Sequence, residues 1–144
     1  MDSSEKLNVA LLGLGRAGRF HIQSIQSIPG INLRCVVDVD EPLARRLAKE
    51  LECDYSTDAD GPLGQADVDA VIVASPTHEH YAQIQAALEA GKPVFTEKPL
   101  GSSLEEIDTC FGLAKRTGRW GHKKHGSRWA TPAWLIVFVR PRSA

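Results

Sequence analysis

"LNVALLGLGRAG", residues Leu7–Gly18, sets a short run that is apolar apart from Asn8 directly against glycines spaced G-x-G-x-x-G. A brief apolar run stopped by glycine is the pattern of a strand buried on both faces. From Arg16 onward apolar residues recur at helical spacing (Ala17, Phe20, Ile25, Ile28) until Pro29-Gly30 ends the pattern. The glycines therefore sit on a strand-to-helix turn, and each has a physical reason to be there. Gly13 permits the tight turn, Gly15 lets backbone approach a pyrophosphate, and Gly18 allows close packing of helix on strand. The helix start beyond them offers unbonded N–H groups and a positive dipole end to an anion. Gly13, Leu14, Gly15, Arg16, Ala17 and Gly18 together form a candidate phosphate cradle. The plain alternative is a glycine turn that only packs.

Outward from this turn the same rhythm repeats. "INLRCVVDVD" reads as a second strand closing on Asp38, and "EPLARRLAKEL" as a helix with Pro42 in its first turn. "DAVIVAS" (69–75) is a buried strand, a helix follows over 78–90, and "KPVFTEK" (92–98) is a further strand. The capping-box pattern Ser103-x-x-Glu106 starts a helix running to Lys115. Residues 55–67, rich in Asp and Gly, predict a short strand and a turn or short helix. Alternating strands and helices point to an α/β fold, a doubly wound parallel sheet of Rossmann-like, dinucleotide-binding type.

Asp38 lies 20 residues past Gly18 at a strand end, where a carboxylate accepts hydrogen bonds from ribose hydroxyls. Neither Val39 nor Asp40 supplies a cation for a 2′-phosphate, so the expected cofactor is NAD rather than NADP. Ser75, Pro76 and Thr77 follow the third strong strand, beyond the carboxyl ends of the strands where doubly wound folds bind ligands. Thr77 lines the nicotinamide ribose side, caps the next helix, or does both. His80, one turn further, either faces the cleft or is a solvated residue.

"GLGRAGRFH", the strand-ending Asp38, "ASPTHEHY", "EAGKPVFTEKPLG" and "LAKRTGR" together resemble the N-terminal domain of the Gfo/Idh/MocA family of sugar and inositol dehydrogenases, over roughly residues 7–119. The resemblance implies that the glycine loop holds pyrophosphate and Asp38 the adenosine ribose. It implies that Ser75, Pro76, Thr77 and His80 flank the nicotinamide half and that Glu97 positions the nicotinamide ribose. Lys98 would then be the catalytic residue reaching the substrate hydroxyl, with Lys98–Pro99 a candidate cis peptide. A cation there stabilises alkoxide character as hydride leaves the carbinol carbon. Read without the resemblance, Lys98 is a solvated charge paired with Glu97.

The chain has 144 residues with 42% hydrophobic and 24% charged side chains, ordinary for one globular domain. Cys35, Cys53 and Cys110 show no C-x-x-C spacing, which argues for a reducing compartment and against a zinc site; no metal is expected. No apolar run reaches membrane-span length, and the N-terminus lacks an apolar h-region, so a cytosolic location is expected. Charge is split: residues 1–108 carry 18 acids and 9 basic residues, whereas 109–144 carry 8 basic residues and no acid. Trp120, Trp129 and Trp134 also fall in the last 25 residues. Two regions are therefore expected, a binding domain over 1–119 and a basic tail over 120–144 produced by an alternative exon, a retained intron or a shifted frame. In that tail "WLIVFVR" either adds an edge strand or stays exposed, and its charge alone gives no case for nucleic acid.

By the resemblance, "RTGR" should lead into a larger substrate domain with an Asp-x-x-x-His pair, and no Asp here has a His four residues later. The expected function is thus an NAD-binding domain of a polyol-oxidising enzyme that does not turn over alone. The alternative is an active dehydrogenase completed by a homologous full-length partner chain, acting on a small polyol or sugar.

Overall fold

A computed structural model of the protein describes residues 6–97, 101–116 and 135–138. The elements follow in the order β1 (Leu7–Leu12), α1 (Arg16–Gln26), β2 (Ile31–Val37), α2 (Glu41–Leu51), β3 (Asp54–Ser56), α3 (Asp60–Leu63), β4 (Ala70–Val73), α4 (Thr77–Glu89), β5 (Val94–Glu97), α5 (Leu104–Arg116) and β6 (Leu135–Phe138). Among the described residues they build one sheet in the order β3-β2-β1-β4-β5-β6. Strands β1 to β5 are parallel, as expected, and the chain reverses sheet direction between β3 and β4, on either side of β1. Crossover helices cover both faces of such a sheet, which is why its strands read as continuous apolar runs.

The alternation within each strand divides the core in two. Ala10, Leu12, Cys35, Val37, Val71, Val73 and Val94 point to one face, where α4 and α5 bring Ile84, Ala87, Leu88, Cys110 and Leu113. Leu11, Val36 and the half-buried Ile72 point to the other, against Ile22, Ala44 and Ala48 of α1 and α2. Burying each large side chain such as Leu11 or Leu12 contributes about 1.5–3 kcal/mol. Burial also settles the cysteines. It pushes the thiols of Cys35, Cys53 and Cys110 up to about 11, so they are protonated at neutral pH and act as small apolar side chains.

Local signals explain most element ends. Asp40 caps α2 by accepting from the Leu43 N–H at 3.1 Å, and Glu52 closes it in a left-handed conformation at φ 55°. Ser103 Oγ accepts from the Glu106 N–H at 3.2 Å, as the capping box requires, but the Glu106 carboxylate accepts from the Ser102 N–H one residue earlier than the motif prescribes. Residues 54–63 resolve into the short strand β3 and the single-turn helix α3. Of the two readings for "WLIVFVR", the edge strand is what forms. β6 pairs antiparallel with β5, Leu135 opposite Glu97 and Phe138 opposite Val94. Four residues of the basic tail region thus belong to the same sheet. No helix among the described residues is long and apolar enough to cross a membrane.

Candidate functional site

The carboxyl ends of β1, β2, β3 and β4 open into one cleft of about 810 Å³. The glycine loop forms its floor, and two of the three glycines are dictated by the protein itself. Gly13 has φ +99°, and a Cβ there would lie 2.5 Å from the Ser75 nitrogen; the β1 turn is pressed directly on the β4 turn. A Cβ on Gly18 would stand 2.0 Å from the Gly13 carbonyl oxygen, which fixes how closely α1 approaches the loop. Gly15 differs. Its backbone is extended (φ −73°, ψ −157°) and a Cβ there would meet nothing within 4 Å. Open space above an unhindered glycine is what a ligand approaching the backbone needs, and no protein atom at this position demands the missing side chain.

Gly15 is also the N-cap of α1, with no side-chain cap and no acid in the first turn. By contrast α2 is capped by Asp40. With Gly15 and Arg16 in the cleft wall, the N-terminus of α1 and its positive dipole end lie at the cleft without a capping side chain, a site suited to phosphate oxygens. The Arg16 side chain joins the cleft wall there.

Asp38 is anchored rather than loose. Its Oδ2 accepts from the Leu14 N–H at 2.9 Å and its Oδ1 from the Asp40 N–H at 2.9 Å. The glycine loop and the β2 end are therefore tied through one carboxylate. Each oxygen keeps a lone pair for a further donor, so the group can still accept from a vicinal diol.

Of the residues singled out in the sequence, Gly13, Leu14, Gly15, Arg16, Asp38, Ser75 and Pro76 meet around this cleft. Ala17 and Gly18 stand behind it as packing. Thr77 is exposed, and it is not the cap of α4: Pro76, at φ −57° and ψ 148°, holds that position without a side-chain cap bond, and Thr77 is already the first helical residue. Proline before the helix pre-sets the entry, so the hydroxyl comes one residue too late to cap.

His80 is not solvated, and it is not among the described residues that line this cleft. It is 4% exposed, and its Nε2–H donates to the Ser75 carbonyl oxygen at 2.6 Å. Because a carbonyl only accepts, that nitrogen carries the proton. His80 thereby holds the 74–76 turn that presses on Gly13. His80→Ala is expected to lower stability by about 2 kcal/mol, since it orphans a buried carbonyl and leaves a hole. Urea unfolding checks this, and a loss below ~0.5 kcal/mol would show that the turn does not depend on the imidazole.

Glu97 ends β5 beside β4, and only its backbone placement is described. Lys98 and the Lys98–Pro99 bond lie outside the described residues. Several cleft residues escaped the sequence reading: Thr57, Asp58 and Ala59 at the β2–β3 end, and His78, Glu79, Ala82 and Gln83 on α4. Val39, 79% exposed, is an apolar face turned outward at that end. The strand-end rule applied to β3 would have found Thr57 and Asp58.

A family model described as an oxidoreductase family with an NAD-binding Rossmann fold, Gfo/Idh/MocA, matches residues 7–124. The chain belongs to this family. It is 40% identical over 115 residues to scyllo-inositol 2-dehydrogenase (NAD(+)) of Bacillus subtilis, an overlap covering 78% of this chain and 34% of that protein. The match to an inositol 2-dehydrogenase of Acidothermus cellulolyticus, 35% identical, extends over 99% of this chain and 42% of that protein. Among solved structures, scyllo-inositol dehydrogenase from Lactobacillus casei with bound NAD(H) and scyllo-inositol superposes with a TM-score of 0.74 at 33% identity, covering 78% of this chain and 34% of that one. The chain therefore spans about a third of the length of the first of these relatives and of the solved enzyme. These matches establish the Gfo/Idh/MocA NAD-binding domain and its doubly wound fold.

Proposed function

We propose that this domain binds NAD in the cleft and serves a Gfo/Idh/MocA enzyme that oxidises a secondary alcohol of an inositol or related sugar. The observation that carries the reading is the unoccluded Gly15 at the uncapped start of α1, tied to Asp38 through the Leu14 N–H. In this reading the loop N–H groups and the α1 dipole hold the pyrophosphate, with Arg16 beside it. The Asp38 carboxylate accepts from the adenosine ribose diol, and its negative charge opposes a 2′-phosphate, which favours NAD over NADP. Ser75 and Pro76 border the far half of the cleft, with Glu97 assigned to the nicotinamide ribose.

When bound, the nicotinamide supplies the carbon that accepts hydride. We assign to Lys98, immediately after β5, the role of meeting the alcohol oxygen as its proton departs. A general base beside that hydroxyl contributes typically ~10²–10⁴-fold, so measurable turnover requires a substrate-holding surface carrying one, in the same chain or in a partner. The names of the relatives, inositol dehydrogenases, support the substrate class.

The test is thermal unfolding of the chain with and without NAD. At ~100 times its dissociation constant NAD should add about 2.7 kcal/mol of stability. Asp38→Ala is expected to abolish most of that shift, because two charge-assisted hydrogen bonds to ribose are lost, each worth about 1.5–3 kcal/mol. A cooperative melt that NAD does not move would overturn the reading.

A further inference from the structure

We propose that Asp58 is a second determinant of cofactor choice, acting with Asp38 to exclude a 2′-phosphate; this rests on the reading of the cleft as a dinucleotide site. The residue comes from an element that carries no part of the glycine fingerprint. Register brings it there: Val37 of β2 pairs with Ser56 of β3, and the Asp38 N–H donates to the Ser56 carbonyl at 3.2 Å. The chain beyond Ser56 consequently emerges beside Asp38, one strand spacing of about 4.8 Å away. Thr57 and Asp58 both line the cleft that Asp38 and the loop line.

Asp58 is held in place there by bonds that do not use up its charge. Ser56 Oγ donates to the Asp58 carbonyl at 2.7 Å and accepts from the Asp58 N–H at 3.2 Å. The Asp58 Oδ1 accepts from the Gly61 N–H at 3.1 Å, at the start of α3. A plain account of Asp58 as a turn residue uses only that one oxygen. Both acids then border the cleft at its β2–β3 end, where the ribose diol would meet Asp38. Among its described lining residues the cationic side chain is Arg16, which belongs to the α1 end.

A ribose diol is neutral and tolerates a second carboxylate nearby, whereas a 2′-phosphate brings a charge close to −2. At about 8 Å in a watery cleft, a carboxylate disfavours that charge by roughly fivefold in affinity. The effect is additional to Asp38, falls with salt, and leaves unphosphorylated ligands alone.

The experiment compares 5′-ADP and 2′,5′-ADP binding to the full chain by calorimetry, at low and high salt, for the wild type, Asp58→Asn and Asp58→Ser. Both replacements keep an oxygen for the Gly61 N–H and remove the charge. In both, 2′,5′-ADP is expected to bind roughly fivefold tighter at low salt, the gain shrinking in high salt, with 5′-ADP unchanged within about twofold. If both variants still bind 5′-ADP and the ratio of the two ligands stays at the wild-type value, Asp58 is only a turn residue and the proposal is overturned, with the dinucleotide reading intact. If both ligands weaken together, Asp58 acts through structure rather than charge, which also overturns it. If the cooperatively folded wild type binds neither ligand, the dinucleotide reading itself fails.

Discussion

Gly15→Ala is expected to leave the free protein almost as stable as before and to remove nearly all of the stabilisation that NAD confers. The backbone at Gly15 is extended, with φ −73°, so alanine adopts it without strain, and its methyl group would meet no protein atom within 4 Å. Two small terms oppose each other in the unliganded chain. Alanine is a poorer N-cap than glycine, yet it lowers the entropy of the unfolded chain by about 0.4–1 kcal/mol. The net change should stay within about 1 kcal/mol. In the proposed complex the methyl group would occupy the space through which the pyrophosphate reaches the start of α1. A hundredfold loss of affinity would cut the NAD-induced stabilisation from about 2.7 to about 0.4 kcal/mol at the same ligand concentration. Melts with and without NAD read both quantities at once. An unchanged NAD shift in this variant would place the pyrophosphate elsewhere and remove the main support for the cleft as the cofactor site.

Gly18→Ala tests the opposite kind of glycine and should have the larger effect on stability of the two. The added Cβ would sit 2.0 Å from the Gly13 carbonyl oxygen and 2.8 Å from its carbon. Both are backbone atoms, so no side-chain rotation relieves the overlap. Either α1 moves outward, opening its contact with Leu11 and Val36 across the apolar layer, or the Gly13 turn deforms against Ser75. Overpacking of this kind costs about 1–3 kcal/mol, occasionally more, and the coupled loop places Gly18 at the upper end. A loss of ~3 kcal/mol corresponds to a fall of about 10 °C in melting temperature for a domain of this size. A fall of less than ~2 °C would mean that the loop and helix re-form at a new spacing, and that the Gly13–Gly18 contact does not set the geometry of the site.

The contrast between these two glycines separates what is local from what is not. In the sequence they are equal members of one G-x-G-x-x-G pattern. Only the packed structure shows that a Cβ on one would strike a carbonyl oxygen while a Cβ on the other would stand in open space. The same distinction runs through the rest of the cleft. Asp38 was legible because strand periodicity ends at it and because a strand end is a local event. His80 was not, since its partner is a backbone carbonyl five residues back, across the turn into α4. Thr77 misled because hydroxyl residues before a helix usually cap, whereas Pro76 already holds that position. Asp58 sits in a stretch whose composition says only "turn"; its nearness to Asp38 depends on β2–β3 register.

The sequence by itself determined the doubly wound α/β class, the strand-to-helix position of the glycine loop and the family resemblance that the comparisons established. These follow from apolar periodicity and short-range motifs, which read out along the chain. The tertiary structure decided which residues from four separate strand ends share one cleft, the burial of His80 behind it, and the antiparallel addition of β6 to β5. These depend on pairing between segments far apart in the chain, and pairing is selected by how the whole core packs rather than by any single stretch of it.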